Sequence, residues 1–326
     1  MSSSVSETSS ALFRPALHSS PVRWSWVTLE GPDAQDFLHR LTTIHVKALE
    51  VGEGRPGCFL TPQGKIRVYF TLWNYRPHEY AFELDAGQTG KWKEDLFSVI
   101  DQYTFGEKLT LTDATSTLEP VWIFPSAEDL KHLEFGQLAS GKTVALDQGM
   151  RICHHGSADF GRPWLTVWST PEKLTQWIQS TESLWQSILF RTLENWRVQS
   201  LRPRVDQEIN DTTVPLEVGL KETISVNKGC YPGQEVIEKI ISIGSPSRKL
   251  VRIEEVFGTP LLGDPIYNLA QPPQEIGQVT TVISSEQSNA PNPILGLVKK
   301  IHAKEGLPVQ FLTKPSLTGK IAQVII

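Results

Sequence analysis

The spacing of hydrophobic and polar residues in the first part of the chain predicts strands and helices in alternation. Residues 23–29 alternate with a period of two, as in a half-buried strand. Phe37, Leu38 and Leu41 then form the apolar face of a helix that starts after Pro32. Three strand-like runs follow, separated by turns that contain Pro and Gly or His, at residues 57–61, 66–75 and 80–84.

A looser version of this pattern comes next. Trp92, Leu96 and Ile100 have helical spacing and precede a strand-like run at residues 108–112. Further strands are predicted at residues 120–124, 143–146 and 164–168, and further helices at 127–133 and 171–179. Helices packed on antiparallel sheet, used about twice, predict an α+β region over residues 21–244 that could divide into two subdomains near residue 115. One apolar stripe predicts a long core-packed helix near its end, formed by Leu184, Ile188, Leu189, Leu193 and Trp196.

The hydrophobic pattern of the chain changes after Gly244-Ser245-Pro246. Short strand-like runs separated by Gly and Pro predict a small, mostly β domain of sandwich or barrel type over residues 245–326. The predicted strands lie at residues 249–256, 265–268, 276–284, 294–301, 309–312 and 320–326.

Composition narrows the class of protein. The chain has 326 residues, enough for two or three domains, and its 39% hydrophobic and 21% charged residues are typical of globular proteins. A net charge of -5 argues against direct nucleic-acid binding. No apolar run reaches the length of about 18 residues that predicts a membrane span. The three cysteines are far apart and form no CxxC pair, which favours a reducing compartment, either the cytoplasm or an organelle matrix.

Residues 1–20 are rich in serine and show no hydrophobic period. We predict a disordered tail for them, with an organellar transit peptide as the alternative.

Residues 228–235 carry the most suggestive chemistry. They read Lys-Gly-Cys-Tyr-Pro-Gly-Gln-Glu, which places Cys230 just before a Pro-Gly pair suited to a type II turn. If residues 236–241 belong to a helix, its unpaired N–H groups and dipole would favour the Cys230 thiolate, as would the charge of Lys228. Spacing alone, however, favours a tight turn with a half-buried, inert thiol.

Other candidate motifs predict no site. Cys153-His154-His155 would point to opposite faces of a strand, and no second ligand pair has metal-site spacing. His39 and His45 are interpreted as surface or capping residues. The chain contains no Walker-type loop, GxGxxG or GxSxG motif, so no metal, nucleotide or serine-hydrolase site is predicted.

The run at residues 228–235 resembles the Lys-Gly-Cys-Tyr-x-Gly-Gln-Glu signature of YgfZ-type proteins. These are folate-binding, iron–sulfur-maintenance relatives of the glycine-cleavage T protein, an aminomethyltransferase. Other segments are similar to the family and occur in the same order, so that the resemblance covers residues 22–326. They lie at residues 29–38, 60–66, 202–204, 215–217 and 224–225.

The resemblance implies a T-protein-like α+β region made of two ferredoxin-like halves, followed by a C-terminal β-barrel. It implies support of iron–sulfur enzymes, including those that modify tRNA, with iron–sulfur enzymes or cluster-assembly proteins as partners. Cys230 would be the functional thiol of the motif, which also includes Lys228, Gly229, Tyr231, Gly233, Gln234 and Glu235.

A tetrahydrofolate-type cofactor is implied as well. The resemblance suggests that Gln199, Arg197, Lys228 and Tyr69 contact it, and that Lys221, Lys228 and Arg248 are candidate cations for its glutamate tail. Ten tryptophans and six tyrosines could supply ring surface for the pterin.

The chain also departs from the T-protein pattern. Residues 63–70 contain no carboxylate where T proteins carry the catalytic acid. Loss of a general acid costs about 10²- to 10⁴-fold in rate, so a classical aminomethyltransferase activity is not expected. Gln199 replaces the family's pterin-binding Glu, and Thr43-Ile44 replaces an Asn-Asp pair.

Two further functions remain open from the sequence. A folate-dependent one-carbon transferase would need Asp33, Asp36 or Asp85 as its acid. A protein-interaction scaffold would need neither the thiol nor the folate site.

Overall fold

The structure, a computed structural model, describes residues 9–14, 23–133, 135–146, 149–156, 159–283, 293–312 and 316–325. The α-helices are α1 (Ala34–Leu41), α2 (Lys91–Tyr103), α3 (Ala127–His132), α4 (Pro171–Ser180), α5 (Phe190–Gln199) and α6 (Gln234–Ile243). The strands before α6 are β1 (Ala11–Phe13), β2 (Trp24–Glu30), β3 (Gly54–Leu60), β4 (Ile66–Arg76), β5 (Glu79–Asp85), β6 (Thr110–Asp113), β7 (Glu119–Phe124), β8 (Thr143–Leu146), β9 (Met150–Gly156), β10 (Trp164–Ser169) and β11 (Gln186–Ser187). The strands after it are β12 (Arg248–Glu254), β13 (Pro265–Tyr267), β14 (Glu275–Val282), β15 (Ile294–Lys299), β16 (Pro308–Phe311) and β17 (Leu317–Val324).

The chain divides into two compact units, each assembled from separate stretches of sequence. The first comprises Met1–Phe59, Arg67–Leu193 and Glu222–Pro232. The second comprises Leu60–Ile66, Glu194–Lys221 and Gly233–Ile326.

Two sheets form the first unit. One has the strand order β3-β4-β5-β2-β6 and the other β11-β1-β7-β10-β9-β8, so β2 to β6 form the first sheet and β1 joins β7 to β11 in the second. Apolar side chains from both sheets, among them Trp26, Trp73 and Trp168, form one buried cluster between them. Burial of these large rings drives the packing of the two sheets.

A single carboxylate lies inside this aromatic cluster. Glu83 is fully buried and accepts hydrogen bonds from the indole N–H groups of Trp73 (2.8 Å) and Trp168 (2.7 Å). His155 Nε2 lies 3.3 Å from Oε2, the carboxylate oxygen that also accepts from Trp73. Burial alone would raise the pKa of Glu83, but His155, Thr166 and Trp168 hold it below its usual range. Glu83 therefore joins the two sheets as an ionised, fully bonded group.

The second unit contains a closed barrel with the strand order β12-β15-β14-β13-β16-β17. The barrel core includes Val251, Ile253, Ile266 and Phe311. The predicted α+β region followed by a C-terminal β domain is confirmed, and that domain is a barrel.

Two sequence predictions near the N-terminus and before α5 are wrong in the described residues. Ala11–Phe13 lies in the predicted disordered tail, yet it forms β1 and pairs with β7 and β11. The predicted long helix starting at Leu184 is shorter, because α5 begins at Phe190 and residues 186–187 form β11 beside β1. Both errors have one cause: a pairing between distant segments overrides the local pattern. The rest of the predicted tail, residues 1–8 and 15–20, lies outside the described residues.

Candidate functional site

Cys230 lies on an exposed turn, whereas Cys58 and Cys153 are buried. The turn continues into the predicted helix, observed as α6, through Gly233 at φ 82° and ψ 0°. This is the conformation of the third residue of a type II turn, which favours glycine. Of the three thiols, only that of Cys230 is open to a partner molecule.

Gly233 is also required by a close approach within the second unit. A Cβ added at this position would lie 2.5 Å from the backbone oxygen of Thr61 and 3.0 Å from Cα of Gly64. The turn at residues 61–65 therefore packs directly on the start of α6, and the motif glycine permits it.

Lys228 anchors the Cys230 turn to the end of α1. The N–H of Thr43, which would continue the helix by bonding the carbonyl of His39, instead donates to Cys58 O at 3.0 Å. Lys228 Nζ donates to the freed carbonyl of His39 and to that of Thr42. Lys228 Nζ also lies 4.9 Å from the centre of the Tyr231 ring. A cation is well placed there, because the C-terminal carbonyls of a helix carry partial negative charge.

A second set of bonds holds the segment just before Lys228. Ser225 N–H donates to Thr43 O at 2.9 Å, and His45 N–H donates to Ser225 Oγ at 3.0 Å. Thr43 Oγ1 accepts from the N–H of Cys58 at 2.9 Å, and Ile44 is buried. The Thr43-Ile44 departure from the family's Asn-Asp thus serves a local structural purpose.

The ionisable groups around this turn are perturbed by burial. Burial lowers the pKa of Lys228 to about 8. Burial, followed by the positive charge of Lys228, lowers the pKa of His39 to about 4. The His39 ring lies 4.8 Å from that of His45, whose Nδ1 accepts from the N–H of Ala48 at 3.2 Å. His45 is therefore a capping residue, as predicted, and His39 is a neutral ring beside the turn near pH 7.

The contacts of His39 and Thr42 with Lys228 were not predicted from the sequence. Lys228 and Thr42 are 186 residues apart in the chain, so no local pattern connects them.

The four residues expected to contact folate occupy different settings. Tyr69 is half-buried on β4, and Lys228 belongs to the same unit. Gln199 is exposed at the end of α5, in the second unit, and its backbone carbonyl accepts from Arg252 at 2.6 Å.

Arg197, also on α5, is buried in a network of its own unit. It makes two bonds to the carboxylate of Glu194 (2.9 and 3.0 Å) and one each to Glu208 (3.1 Å) and Thr281 (3.0 Å). Burial would lower the pKa of Arg197, but Glu208 and Glu194 raise it above its usual value. Its guanidinium joins α5 to barrel strand β14 and faces away from solvent.

Two of the candidate cations for a folate tail, Arg248 and Lys221, differ in their surroundings. Arg248 donates to Glu217 at 3.0 and 2.8 Å, and Ser247 Oγ donates to the same carboxylate at 3.1 Å. Burial would raise the pKa of Glu217, but Arg248 lowers it below its usual range. Lys221 is exposed.

The carboxylates that an aminomethyl transferase would need are engaged in local structure. Asp33 accepts from the N–H of Lys108 at 2.8 Å, Asp36 pairs with Lys47 at 2.6 Å, and Asp85 accepts from the N–H of Gly87 at 2.9 Å.

The residues of the Cys153-His154-His155 run have separate partners. His154 Nδ1 lies 2.7 Å from Leu138 O, and His155 Nε2 lies 3.0 Å from Thr166 Oγ1. Burial raises the pKa of Cys153 well above its usual range. Within the described ranges, no three His, Cys, Asp or Glu side chains form a group suited to a metal ion. No helix in the described part of the chain is long and apolar enough to cross a membrane.

The fold is that of the glycine-cleavage T protein. The structure superposes on aminomethyltransferase T from Bartonella henselae with a TM-score of 0.80 over 97% of this chain and 86% of that one, at 16% identity. Comparison with protein-family models gave no match.

Sequence relatives carry two kinds of name. A chloroplastic Arabidopsis thaliana protein, provisionally named a transferase, is 24% identical over 86% of this chain and 64% of its own length, so the chain spans less than two thirds of that relative. An aminomethyltransferase of Symbiobacterium thermophilum is 24% identical over 88% of this chain and 79% of its own. The tRNA-modifying protein YgfZ of Photobacterium profundum is 23% identical over 74% and 71%. The resemblance expected from residues 228–235 is confirmed.

Proposed function

We propose that this protein is a folate-binding accessory factor for the assembly or repair of iron–sulfur enzymes, including enzymes that modify tRNA. The observation that carries the proposal is the setting of Cys230, which is exposed on a turn that Lys228 ties to α1. The similarity to YgfZ, whose name describes a tRNA-modifying protein, supports the tRNA connection. We place the protein in a reducing compartment, either the cytoplasm or, as the chloroplastic relative suggests, an organelle.

The chemistry of Cys230 fits transient ligation. A thiolate donates an electron pair to iron after its proton passes to solvent, and the bond breaks when a cysteine of the partner takes that position on the iron. No electron is transferred in this exchange. One cysteine cannot hold a cluster by itself, so the proposed role is transfer or repair at a partner enzyme rather than storage.

Folate binding is the second part of the proposal, with tetrahydrofolate or a derivative as ligand. The T-protein fold supports it. The exposed side chain of Gln199 is the proposed contact. Arg197 would act indirectly, because its bond to the backbone oxygen of Arg202 at 2.7 Å fixes the end of α5 where Gln199 lies.

Complementation of a cell that lacks its own YgfZ-type protein tests the role of Cys230. We expect wild-type protein to restore the activity of an iron–sulfur dehydratase and Cys230→Ser to fail at equal protein level. Cys153→Ser is the matched control, because the Thr143 hydroxyl lies 3.4 Å from that sulfur and can bond a serine. Full rescue by Cys230→Ser would refute the thiol role.

Titration of the purified protein with tetrahydrofolate, followed by tryptophan fluorescence, tests the folate part. We expect a saturable change that Gln199→Ala weakens. No response up to millimolar ligand would contradict folate binding and favour a scaffold.

Aminomethyl transfer is the alternative function, favoured by the names of several relatives. Residues 63–70 lack the acid, and Asp33, Asp36 and Asp85 are engaged elsewhere. Turnover of an aminomethyl donor with tetrahydrofolate would establish this alternative.

A further inference from the structure

We propose that Lys228 is a positioning residue, which fixes the Cys230 turn on the C-terminal end of α1. This inference rests on the proposed role of Cys230, because it assigns to Lys228 the control of where that thiol is held.

The geometry requires a long side chain that ends in several donors. The helix is interrupted where the N–H of Thr43 turns to Cys58, and the carbonyls of His39 and Thr42 both face Lys228 Nζ. An ammonium group has three N–H bonds, enough for both carbonyls and for a contact with the Tyr231 ring. Tyr231 is itself 7% exposed, so the lysine and the ring together hold both sides of Cys230.

The bonds depend on the charge of the lysine. A protonated amine makes charge-assisted hydrogen bonds to carbonyls and is attracted to the face of an aromatic ring, and a neutral amine loses both advantages. Burial lowers the pKa of Lys228 to about 8, so the amine is still protonated at pH 7 and can make these bonds.

Other charged groups nearby do not replace this charge. Asp36 on α1 is paired with Lys47, and Arg40 is paired with Glu107. His39 is already neutral above a pKa of about 4. Of the titratable groups on the neighbouring elements, His39 and Tyr231 interact with Lys228 directly.

A spin label on Cys230 measures the order of the turn directly. Cys58 and Cys153 are buried, so a thiol-specific nitroxide attaches to Cys230 in the native protein. We expect Lys228→Met, which keeps the length of the side chain but has no donors, to shorten the correlation time of the label severalfold at pH 7. Lys239→Met, which removes an exposed lysine from α6, is the matched control and should leave the label unchanged.

The conservative variant separates positioning by N–H donors from simple packing. Lys228→Arg should keep the label ordered, because a guanidinium carries several N–H donors and stays protonated. Equal mobility in wild type and Lys228→Met, or a label as mobile in Lys228→Arg as in Lys228→Met, would overturn the proposal.

Complementation then separates the role of Lys228 from the role of Cys230. If Lys228→Met mobilises the label but supports iron–sulfur enzymes fully, while Cys230→Ser does not, Lys228 does not control the function of the thiol. If Cys230→Ser also supports them, the proposed function itself fails.

Discussion

Lys228 binds the backbone carbonyl of His39, 189 residues earlier in the chain, and so ties the Cys230 turn to the end of the first helix. That bond exists because β3 takes the N–H that would otherwise have closed the last turn of α1. A cysteine that local sequence leaves ambiguous thus lies, in the folded protein, on an anchored and exposed turn.

Thiol reactivity should separate the three cysteines. We expect one thiol per native molecule to react with a small disulfide reagent and three to react in denaturant, because Cys58 and Cys153 are buried. Absorbance of the released thiolate counts them. Cys230→Ser should leave no native thiol reactive, and a second fast-reacting thiol in the native protein would contradict the described burial.

The two glycines that flank α6 form a matched pair for stability. Gly233 and Gly244 have φ values of 82° and 84°, but a Cβ on Gly244 meets no atom within 4 Å. Gly244→Ala should cost about 1 kcal/mol from backbone strain alone. Gly233→Ala should cost about 1–3 kcal/mol more, because the new methyl group meets Thr61 O. Urea unfolding measures both, and equal costs would show that the Thr61 contact does not constrain the turn.

The histidine beside the turn should make the protein acid-sensitive. In the folded state the pKa of His39 is about 4, whereas the usual value is 6.5. The unfolded chain therefore binds the proton first, and stability falls as the pH drops from 6.5 towards 4. Solvent screening limits the effect to about 1–2 kcal/mol.

His39→Gln should remove that part of the pH dependence while keeping the backbone carbonyl that Lys228 binds. Unfolding free energies of the two proteins at several pH values test this. Parallel curves for wild type and His39→Gln would contradict a lowered pKa of His39.

The barrel could be predicted from sequence because its strands are specified locally. Alternating residues such as Val251 and Ile253 point into the core, and Gly and Pro mark the connections. The segment before α5 could not be predicted, because Gln186 pairs with Ala11, a residue in a serine-rich stretch that has no strand period. Local apolar spacing there fits a helix equally well.

The candidate site was predicted in part. The motif pointed to Cys230, and the Pro-Gly pair predicted the turn. The anchoring of the turn was not predictable, because Lys228 binds backbone carbonyl groups at the end of α1. Every residue has such a carbonyl, so no residue type marks this contact in the sequence. Arg197 shows the converse: the family resemblance suggested a ligand contact, and the structure places its guanidinium in an internal network.

The buried carboxylate between the two sheets should be a major source of stability for the first unit. Glu83→Gln should cost about 2–4 kcal/mol, because one acceptor of the indole N–H groups becomes a donor. Since the pKa of Glu83 is lowered from 4.5 in the fold, the advantage of wild type over Glu83→Gln should persist above pH 4.5 and shrink as the pH falls below it. Glu182→Gln, on the exposed segment after α4, is the control for loss of one negative charge. Equal stability of the two variants in thermal unfolding would contradict this role.

The extent of one cluster-dependent tRNA modification, measured by mass spectrometry of nucleosides, tests whether the Cys230 thiol supports iron–sulfur enzymes. The measurement compares cells that lack their own YgfZ-type protein and express wild-type protein, Cys230→Ser or Cys153→Ser at equal levels. We expect restored modification with wild type and Cys153→Ser and a lasting deficit with Cys230→Ser. Full modification with Cys230→Ser would contradict it.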